Sequence, residues 1–364
     1  MRRNILLAVV FCLVVTMFVF PINRSFANDD VDEELLLLDS DMVDIFDDGV
    51  AMMMLAKSPK FKLLGVTIST GNLWLEDCTA SAIRQLEGLG ITNIPVAMGK
   101  TPRSIENRFS HMEKEVLKFG SGFDIYAGAA SYERPTDWRT AYKNRYGAEP
   151  SFEPTKEKAV DFIIRTIKEH PNEVTIVVIG PHTNLAAAIK KSPDIVPLVK
   201  RVVYMGGAFF QSGNVTPAAE FNIWVDPKSA KQVVRSPFKE QIFVPLDACD
   251  TVYITRDEFY ALNDKIKSPI LAEMMNKTLD TRDIFAGSEK TLIWDILAAA
   301  VLINSNIITE ETTMPVDVND VYSPSYGQTL AYRRAPQGAQ QARIVLSVDK
   351  DEVRKMIFNL FDEL

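Results

Sequence analysis

Residues 35–48 read LLLLDSDMVDIFDD, an apolar run from Leu35 to Leu38 that ends in five carboxylates within ten residues, Asp39, Asp41, Asp44, Asp47 and Asp48. A run with no polar residue on either face is the pattern of a strand buried on both sides, as strands of a parallel sheet are. Open α/β sheets bind ligands outside the carboxyl ends of their strands, so the acids stand where chemistry is expected. Carboxylates this close repel one another unless protons or a cation intervene, and hard divalent cations prefer oxygen ligands. The same residues also read as a solvated acidic turn in which Asp47 and Asp48 support the N-terminus of the next helix.

Outward from this stretch, short β-branched runs recur at Lys62 to Ser69, Ile94 to Ala97, Val174 to Ile179, Val202 to Met205 and Ile242 to Leu246. Helical patterns separate them, at Gly49 to Ala56, Leu75 to Leu89, Thr155 to Glu169, Asn184 to Lys191 and Pro227 to Val234. The alternation predicts a single α/β domain with a mainly parallel central sheet flanked by helices. From Arg256 to Ile308 helical periodicity takes over, clearest at Ile270 to Leu279 and Asp295 to Leu302, and predicts a helical cap over the strand carboxyl ends. After Val316 the chain returns to strand-like pieces and closes with an amphipathic helix from Lys350 to Phe361. Lys100 to Pro154, rich in polar, aromatic, Gly and Pro residues, reads as a long loop or flap.

The chain has 364 residues, 47% hydrophobic and 24% charged, with 17 Gly, 19 Pro and 3 Cys, which excludes disordered, collagenous and disulfide-scaffold classes. Arg2 and Arg3 precede an apolar run from Ile5 to Phe20, followed by Pro21 and Ser25-Phe26-Ala27. That order predicts a secretory signal over residues 1–27 and a catalytic domain over 28–364, in the periplasm or secreted. A retained anchor is the other reading of the run, and no later stretch suggests a stable membrane span. Removing Arg2, Arg3 and Arg24 leaves 37 basic against 48 acidic side chains, a formal charge of −11, which repels phosphate backbones and argues against a nucleic-acid partner. Cys78 and Cys249 remain, and the sequence does not say whether they pair.

Three further blocks stand out. Val177 to Asn184 reads VVIGPHTN, a strand, a Gly-Pro turn and the start of a helix. Met205-Gly206-Gly207 leads to Gly213-Asn214 and then to Glu220-Phe221-Asn222-Ile223-Trp224-Val225-Asp226-Pro227, a group of amides and a carboxylate suited to the fixed hydroxyls of a sugar. Trp294-Asp295 heads an apolar helix.

In order and spacing, from about Leu35 to Asn304, these blocks resemble the nucleoside hydrolase (inosine-uridine preferring nucleoside N-ribohydrolase) family. The opening is similar to the variant DxDxxxxxDD form of its aspartate motif, and GPHTN, MGGA, GN, EFNIWVDP and WD complete the set, whereas the carboxyl-terminal 60 residues match loosely. The resemblance implies hydrolysis of the N-glycosidic bond of ribonucleosides to free base and ribose with one Ca²⁺. It implies calcium ligands at Asp41, Asp48, the backbone carbonyl of Thr183 and Asp295, and Asp41 as the general base. It further implies Asp47 on a ribose hydroxyl, Asn72, Asn214, Glu220 and Asn222 as ribose contacts, and Asp39 bracing the loop from behind. A homo-oligomer, dimer or tetramer, is expected on the same ground.

Many family members carry His where this chain has Trp294, and a Trp there resembles the purine-preferring branch, in which the base is stacked between aromatic rings. Purine ribonucleosides are therefore the favoured substrates, with Trp138, Phe109 or Tyr126 as the second stacking partner. Among the three His, His111 in the flap and His182 beside Thr183 are candidate acids less simply than they are structural residues, and His170 is a helix-end surface residue. Trp74, Trp224 and Met52 to Met54 read as packing. Asp39-Ser40-Asp41 after a strand also looks like a haloacid-dehalogenase phosphatase opening, a reading that leaves Asp47-Asp48, EFNIWVDP and Trp294-Asp295 unexplained. The alternative function is a non-catalytic exported nucleoside- or ribose-binding protein.

Overall fold

A computed structural model describes residues 33–364 apart from 44, 103, 105–112, 115–116, 118–125, 282–284 and 286–287. The expected signal over residues 1–27, and Phe109 and His111, lie outside the described residues. In chain order the elements are β1 (Glu34–Ser40), α1 (Val50–Lys57), β2 (Phe61–Ile68), α2 (Leu75–Gly88), β3 (Val96–Met98), α3 (Trp138–Tyr146), α4 (Ala159–Glu169), β4 (Thr175–Val178), α5 (Thr183–Lys191), β5 (Arg201–Met205), α6 (Phe221–Val225) and α7 (Pro227–Val234). They continue with β6 (Gln241–Val244), α8 (Leu246–Cys249), β7 (Tyr253–Thr255), α9 (Arg256–Asn263), α10 (Pro269–Thr281), β8 (Lys290–Leu292), α11 (Asp295–Ile303), β9 (Ile308–Val318), β10 (Thr329–Ala331), β11 (Gln340–Val348) and α12 (Lys350–Glu363).

The main sheet has the order β10-β9-β11-β6-β5-β4-β1-β2-β3, parallel from β11 to β3, with β9 and β10 antiparallel at one edge. The order reverses at β1, which sends the chain outward through β2 to β3 and lies on its other side against β4. That reversal opens a crevice at the carboxyl ends of β1 and β4, the place where doubly wound sheets hold ligands.

Period-two alternation between two cores explains why β1 carries no polar residue between Glu34 and Asp39. Leu36 and Leu38 enter a core with Val177, Val203, α1, α2, α11 and α12, whereas Leu37 enters the opposite core with Ile176, Val202, α4, α5 and α7. Met52 to Met54 are buried in the first of these cores, and Trp74 and Trp224 in a smaller cluster with Phe221 and Val225. Cys78 and Cys249 are both buried and free.

Three expectations change. Lys100 to Pro154 is not loop throughout: Asp137 accepts hydrogen bonds from the Arg139 and Thr140 amides, which starts α3, and Gly147 closes it at φ 61°. Inside the expected helical cap, Lys290–Leu292 pairs with Tyr253–Thr255 as a two-stranded antiparallel ribbon too short to leave a period. The following strand, β9, begins at Ile308 behind a polar, exposed half, so its sequence lacks the alternation of its buried end. No helix among the described residues is long and apolar enough to cross a membrane.

Candidate active site

Asp39 and Ser40 are the last residues of β1, and Asp41 is the first beyond it. Asp39 is buried, and its Oδ1 accepts hydrogen bonds from Thr67 Oγ1 at 2.6 Å and Asn184 Nδ2 at 2.8 Å, tying β1 to β2 and α5. Burial pushes its carboxyl up to about 7. Asp41 is fully buried; its Oδ2 accepts the Asn72 amide at 2.7 Å, and its Oδ1 accepts no hydrogen bond from any other of the described residues. Two glycines let backbone close around it. A Cβ on Gly71 would lie 2.1 Å from Asp41 Oδ2, and one on Gly180 would lie 2.7 Å from both the Asp41 amide and Oδ1. Burial first, then the Asp48 charge, holds the Asp41 carboxyl well above the usual carboxylate range. Asp48, also buried, accepts a hydrogen bond from Ser40 Oγ at 2.6 Å.

Asp47 supports a helix, but not the adjacent one. The turn Ile45–Gly49 places Asp47 at φ 85°, ψ −99°, and its Oδ1 accepts the amides of Trp294 at 3.1 Å and Asp295 at 2.8 Å. It thereby caps α11, whose own N-cap residue, Trp294, offers no side-chain acceptor. One carboxylate in a conformation costly for a residue with Cβ fixes the backbone of both Trp294 and Asp295. Burial, then Asp48, pushes Asp47 up to about 7. Asp295 is buried and stands well above the ordinary range, through burial and then through Asp47, Asp48 and Asp41. Asp47→Ala is expected to cost about 1–2 kcal/mol through the lost cap and to lower turnover, with Asp47→Asn retaining most of the stability. Calorimetry beside turnover checks it, and an unchanged melting temperature in the Ala variant would remove the capping argument.

The opposite wall is built by loops after β2, β4 and β5. Glu220 caps α6, accepting the Asn222 amide at 2.8 Å, and also accepts the Gly207 amide at 2.9 Å. Gly207 adopts φ 86°, a conformation suited to glycine, and burial pushes Glu220 up to about 7. Asn222 donates through Nδ2 to the Ile179 carbonyl at 3.1 Å and the Met205 carbonyl at 3.3 Å, joining the ends of β4 and β5. Asn214 Oδ1 accepts the Phe221 amide at 3.0 Å. Tyr126 Oη lies 3.3 Å from Asn72 Oδ1, and its ring centroid is 5.2 Å from that of Phe221.

These walls enclose a cavity of about 540 Å³, a size suited to a small molecule. Asp47, Asp48, Asn72, Asn214, Glu220, Asn222, Trp294 and Asp295 line it, so residues separated by up to 248 positions meet there. Asp41 lies one hydrogen bond behind Asn72, and Asp39 deeper still. Thr183 does not line the cavity; its hydroxyl donates to Asp226 Oδ2 at 2.9 Å, and its amide donates to the Pro181 carbonyl at 2.8 Å.

Of the proposed stacking partners, Tyr126 lines the cavity and Trp138 does not: it opens α3 and leans on the core beside α2. His182 is buried, stacked on Tyr204 at 5.0 Å with both ring nitrogens unpartnered, and burial lowers it to about 3. It is a neutral packing residue. His170 is the partly exposed end of α4. Sequence reading missed Tyr132, Thr291 and Leu292 in the cavity wall; the last two lie on the ribbon whose short strand leaves no period.

The family model for inosine-uridine preferring nucleoside hydrolase matches residues 36–355. The chain belongs to this family. Among relatives of this nucleoside hydrolase, the pyrimidine-specific ribonucleoside hydrolase RihB of Shigella flexneri is 30% identical over 315 residues, covering 84% of this chain and 90% of that one. RihB of Escherichia coli O9:H4 is 31% identical over the same length. Two solved structures share the fold: a plant nucleoside hydrolase, the PpNRh1 enzyme, with TM-score 0.72 at 23% identity, covering 91% of this chain and 99% of that one, and the purine-preferring ribonucleoside hydrolase from Gardnerella vaginalis, with TM-score 0.67 at 24% identity, covering 91% and 100%. As a nucleoside hydrolase the chain is an N-ribohydrolase, which sets aside the phosphatase and the non-catalytic readings.

The family is one of metal-dependent hydrolases, and the donor chemistry of this nucleoside hydrolase fits a hard cation. Asp41, Asp47, Asp48 and Asp295 offer oxygen only; beyond burial, the Asp48 charge raises the proton affinity of Asp41 and Asp47, and all three raise that of Asp295; and Asp41 Oδ1 is buried without a donor from another described residue. Among the described residues, no group of three His, Cys, Asp or Glu side chains is drawn together as a finished metal-binding set.

Proposed function

We propose that the enzyme hydrolyses uncharged ribonucleosides, purine ribonucleosides foremost, with calcium held by Asp41, Asp48, Asp295 and the Thr183 carbonyl. The observation that carries the reading is the meeting, in one cavity, of Asp47, Asp48 and Asp295 with Asn72, Asn214, Glu220 and Asn222, the donor and acceptor set a ribose requires. Calcium, when bound, would hold oxygen ligands of the sugar and lower the proton affinity of water.

Asp41 takes the proton of the water that attacks the anomeric carbon, and Oδ1 is the oxygen that does so, since Oδ2 already accepts the Asn72 amide. The C–N bond breaks as the C–O bond forms, its electron pair leaving with the base, which takes a proton from solvent to depart neutral, and the positive charge that develops on the sugar ring is met by the oxygens of Asp47, Glu220, Asn214 and Asn222. Trp294 and Tyr126 face the base with aromatic surface. The cavity is lined by three Asp and one Glu and, among the described residues, by no Lys or Arg, so a 5′-phosphate would meet only like charge. The pyrimidine specificity named for the RihB relatives supports a second reading, in which uridine and cytidine are the better substrates.

The test is release of reducing sugar from inosine, adenosine, guanosine, uridine and cytidine, with and without a calcium chelator, alongside inosine 5′-monophosphate. Purine ribosides are expected to lead, chelation to abolish release, and the monophosphate to be inert. Faster release from uridine and cytidine would transfer the base preference to the pyrimidine reading, and release that survives complete chelation would overturn the calcium assignment.

A further inference from the structure

The mechanism above uses the backbone of Trp294 and its aromatic surface and leaves its indole N–H unassigned. That N–H donates to Asp250 Oδ1 at 3.4 Å, and the other oxygen of the same carboxylate accepts Gln211 Nε2 at 2.8 Å. Asp250 directly follows α8, and one turn earlier on that helix Asp247 accepts the amides of Phe209 at 2.9 Å and Phe210 at 2.8 Å. Two carboxylates therefore pin residues 209–211 to α8, at the start of the loop that continues to Asn214 in the cavity wall. Cys249, between them, places its Sγ 3.7 Å from the Trp294 carbonyl.

Trp294 is thus held at its amide by Asp47, at its carbonyl by the Leu297 amide one turn into α11 and at its ring edge by Asp250. Indole offers a single donor and no acceptor, so a ring whose N–H is taken by Asp250 meets a ligand with apolar surface alone. A ring free to turn about its side-chain bonds would lose entropy on receiving a base, whereas a ring held at its edge has already lost it.

We propose that Asp250, steadied by Gln211, is a positioning residue that fixes the Trp294 indole as the base-binding wall and ties it to the loop bearing Asn214. Asp250 does not itself line the cavity, so it acts through Trp294. The inference rests on the ribonucleoside reading of the cavity.

The test is a double-mutant cycle between Asp250→Ala and Trp294→Phe, since phenylalanine keeps an aromatic face and has no N–H to hold. Asp250→Ala alone is expected to raise KM for the preferred ribonucleoside roughly tenfold, the scale of one lost hydrogen bond to a charged group, with kcat within about threefold and inhibition by free ribose unchanged. In the Trp294→Phe background the same substitution is expected to add less than about twofold, as partners in one interaction are non-additive. Asp250→Asn, which keeps an acceptor, is expected to restore most of the affinity. An equal rise in KM in both backgrounds, or a parallel loss of ribose inhibition, would overturn the proposal. Wild-type protein that releases sugar from no ribonucleoside would instead sink the reading it rests on, so the two failures are distinct.

Discussion

Asp41→Asn is expected to lower kcat by a factor of about 10²–10⁴, the span of general-base catalysis, while the protein stays folded and free ribose still inhibits residual turnover. The substitution is nearly isosteric, and an Asn side-chain oxygen can still accept the Asn72 amide that Asp41 Oδ2 accepts at 2.7 Å. What disappears is the capacity to hold a proton at the other position, which no other described residue occupies as a donor. Stability should not fall with activity, because burial and then the Asp48 charge push Asp41 toward protonation, and a neutral amide at that position carries neither the buried charge nor the repulsion. Steady-state kinetics, ribose inhibition and a melting curve on the same preparation check the three parts. A kcat within about threefold of wild type would remove Asp41 from the role of base.

The fold was legible because its strands are buried on both faces, so runs such as Leu35 to Leu38 and Val174 to Ile179 announce themselves without alternation. The acids were legible as a cluster, and so were two readings of them, a ligand site or a helix cap. The structure shows how both apply to one residue: Asp47 lines the cavity and also caps a helix, but the helix is α11, not the one that follows it in sequence. Nothing local in residues 45–49 names a partner almost 250 positions away, since the contact is made by the crevice and not by chain proximity. Thr183 illustrates the converse. Its place at the head of α5 follows from the Gly180-Pro181 turn, whereas its hydroxyl is committed to Asp226, a pairing no spacing rule supplies. Tyr126 could be named as a candidate from composition but not separated from Trp138, because the start of α3, set by the local Asp137 cap, is what takes Trp138 to the core beside α2. Asp250 carried no motif signal, and its link to Trp294 exists only because α8 and the head of α11 meet at the rim.

Gly180→Ala should cost activity on nearly the same scale as losing the base, by adding one methyl group outside the cavity. The added Cβ would stand 2.7 Å from both the Asp41 amide and Asp41 Oδ1, separations that real Cβ atoms essentially never show, and 3.1 Å from the Ser40 carbonyl carbon, itself a tight contact. Two of those atoms are backbone at the end of β1, whose Asp39 carbonyl accepts the Ile179 amide at 2.8 Å, so the strand end cannot slide away freely. The atom left to move is the carboxyl oxygen proposed above to take the proton. A displacement of that oxygen by about 1 Å is expected to lower kcat by roughly 10²-fold, with a further cost of about 1–3 kcal/mol in stability from overpacking. Gly147→Ala is the control. Gly147 sits at φ 61° with nothing within 4 Å of its would-be Cβ, at the end of α3 and away from the cavity, so it strains the backbone without touching Asp41. The pair separates lost stability from lost geometry: both variants should melt earlier, and only Gly180→Ala should lose turnover. Equal kcat in the two variants would mean that the close approach of the β4 loop to Asp41 serves packing and not the position of the base.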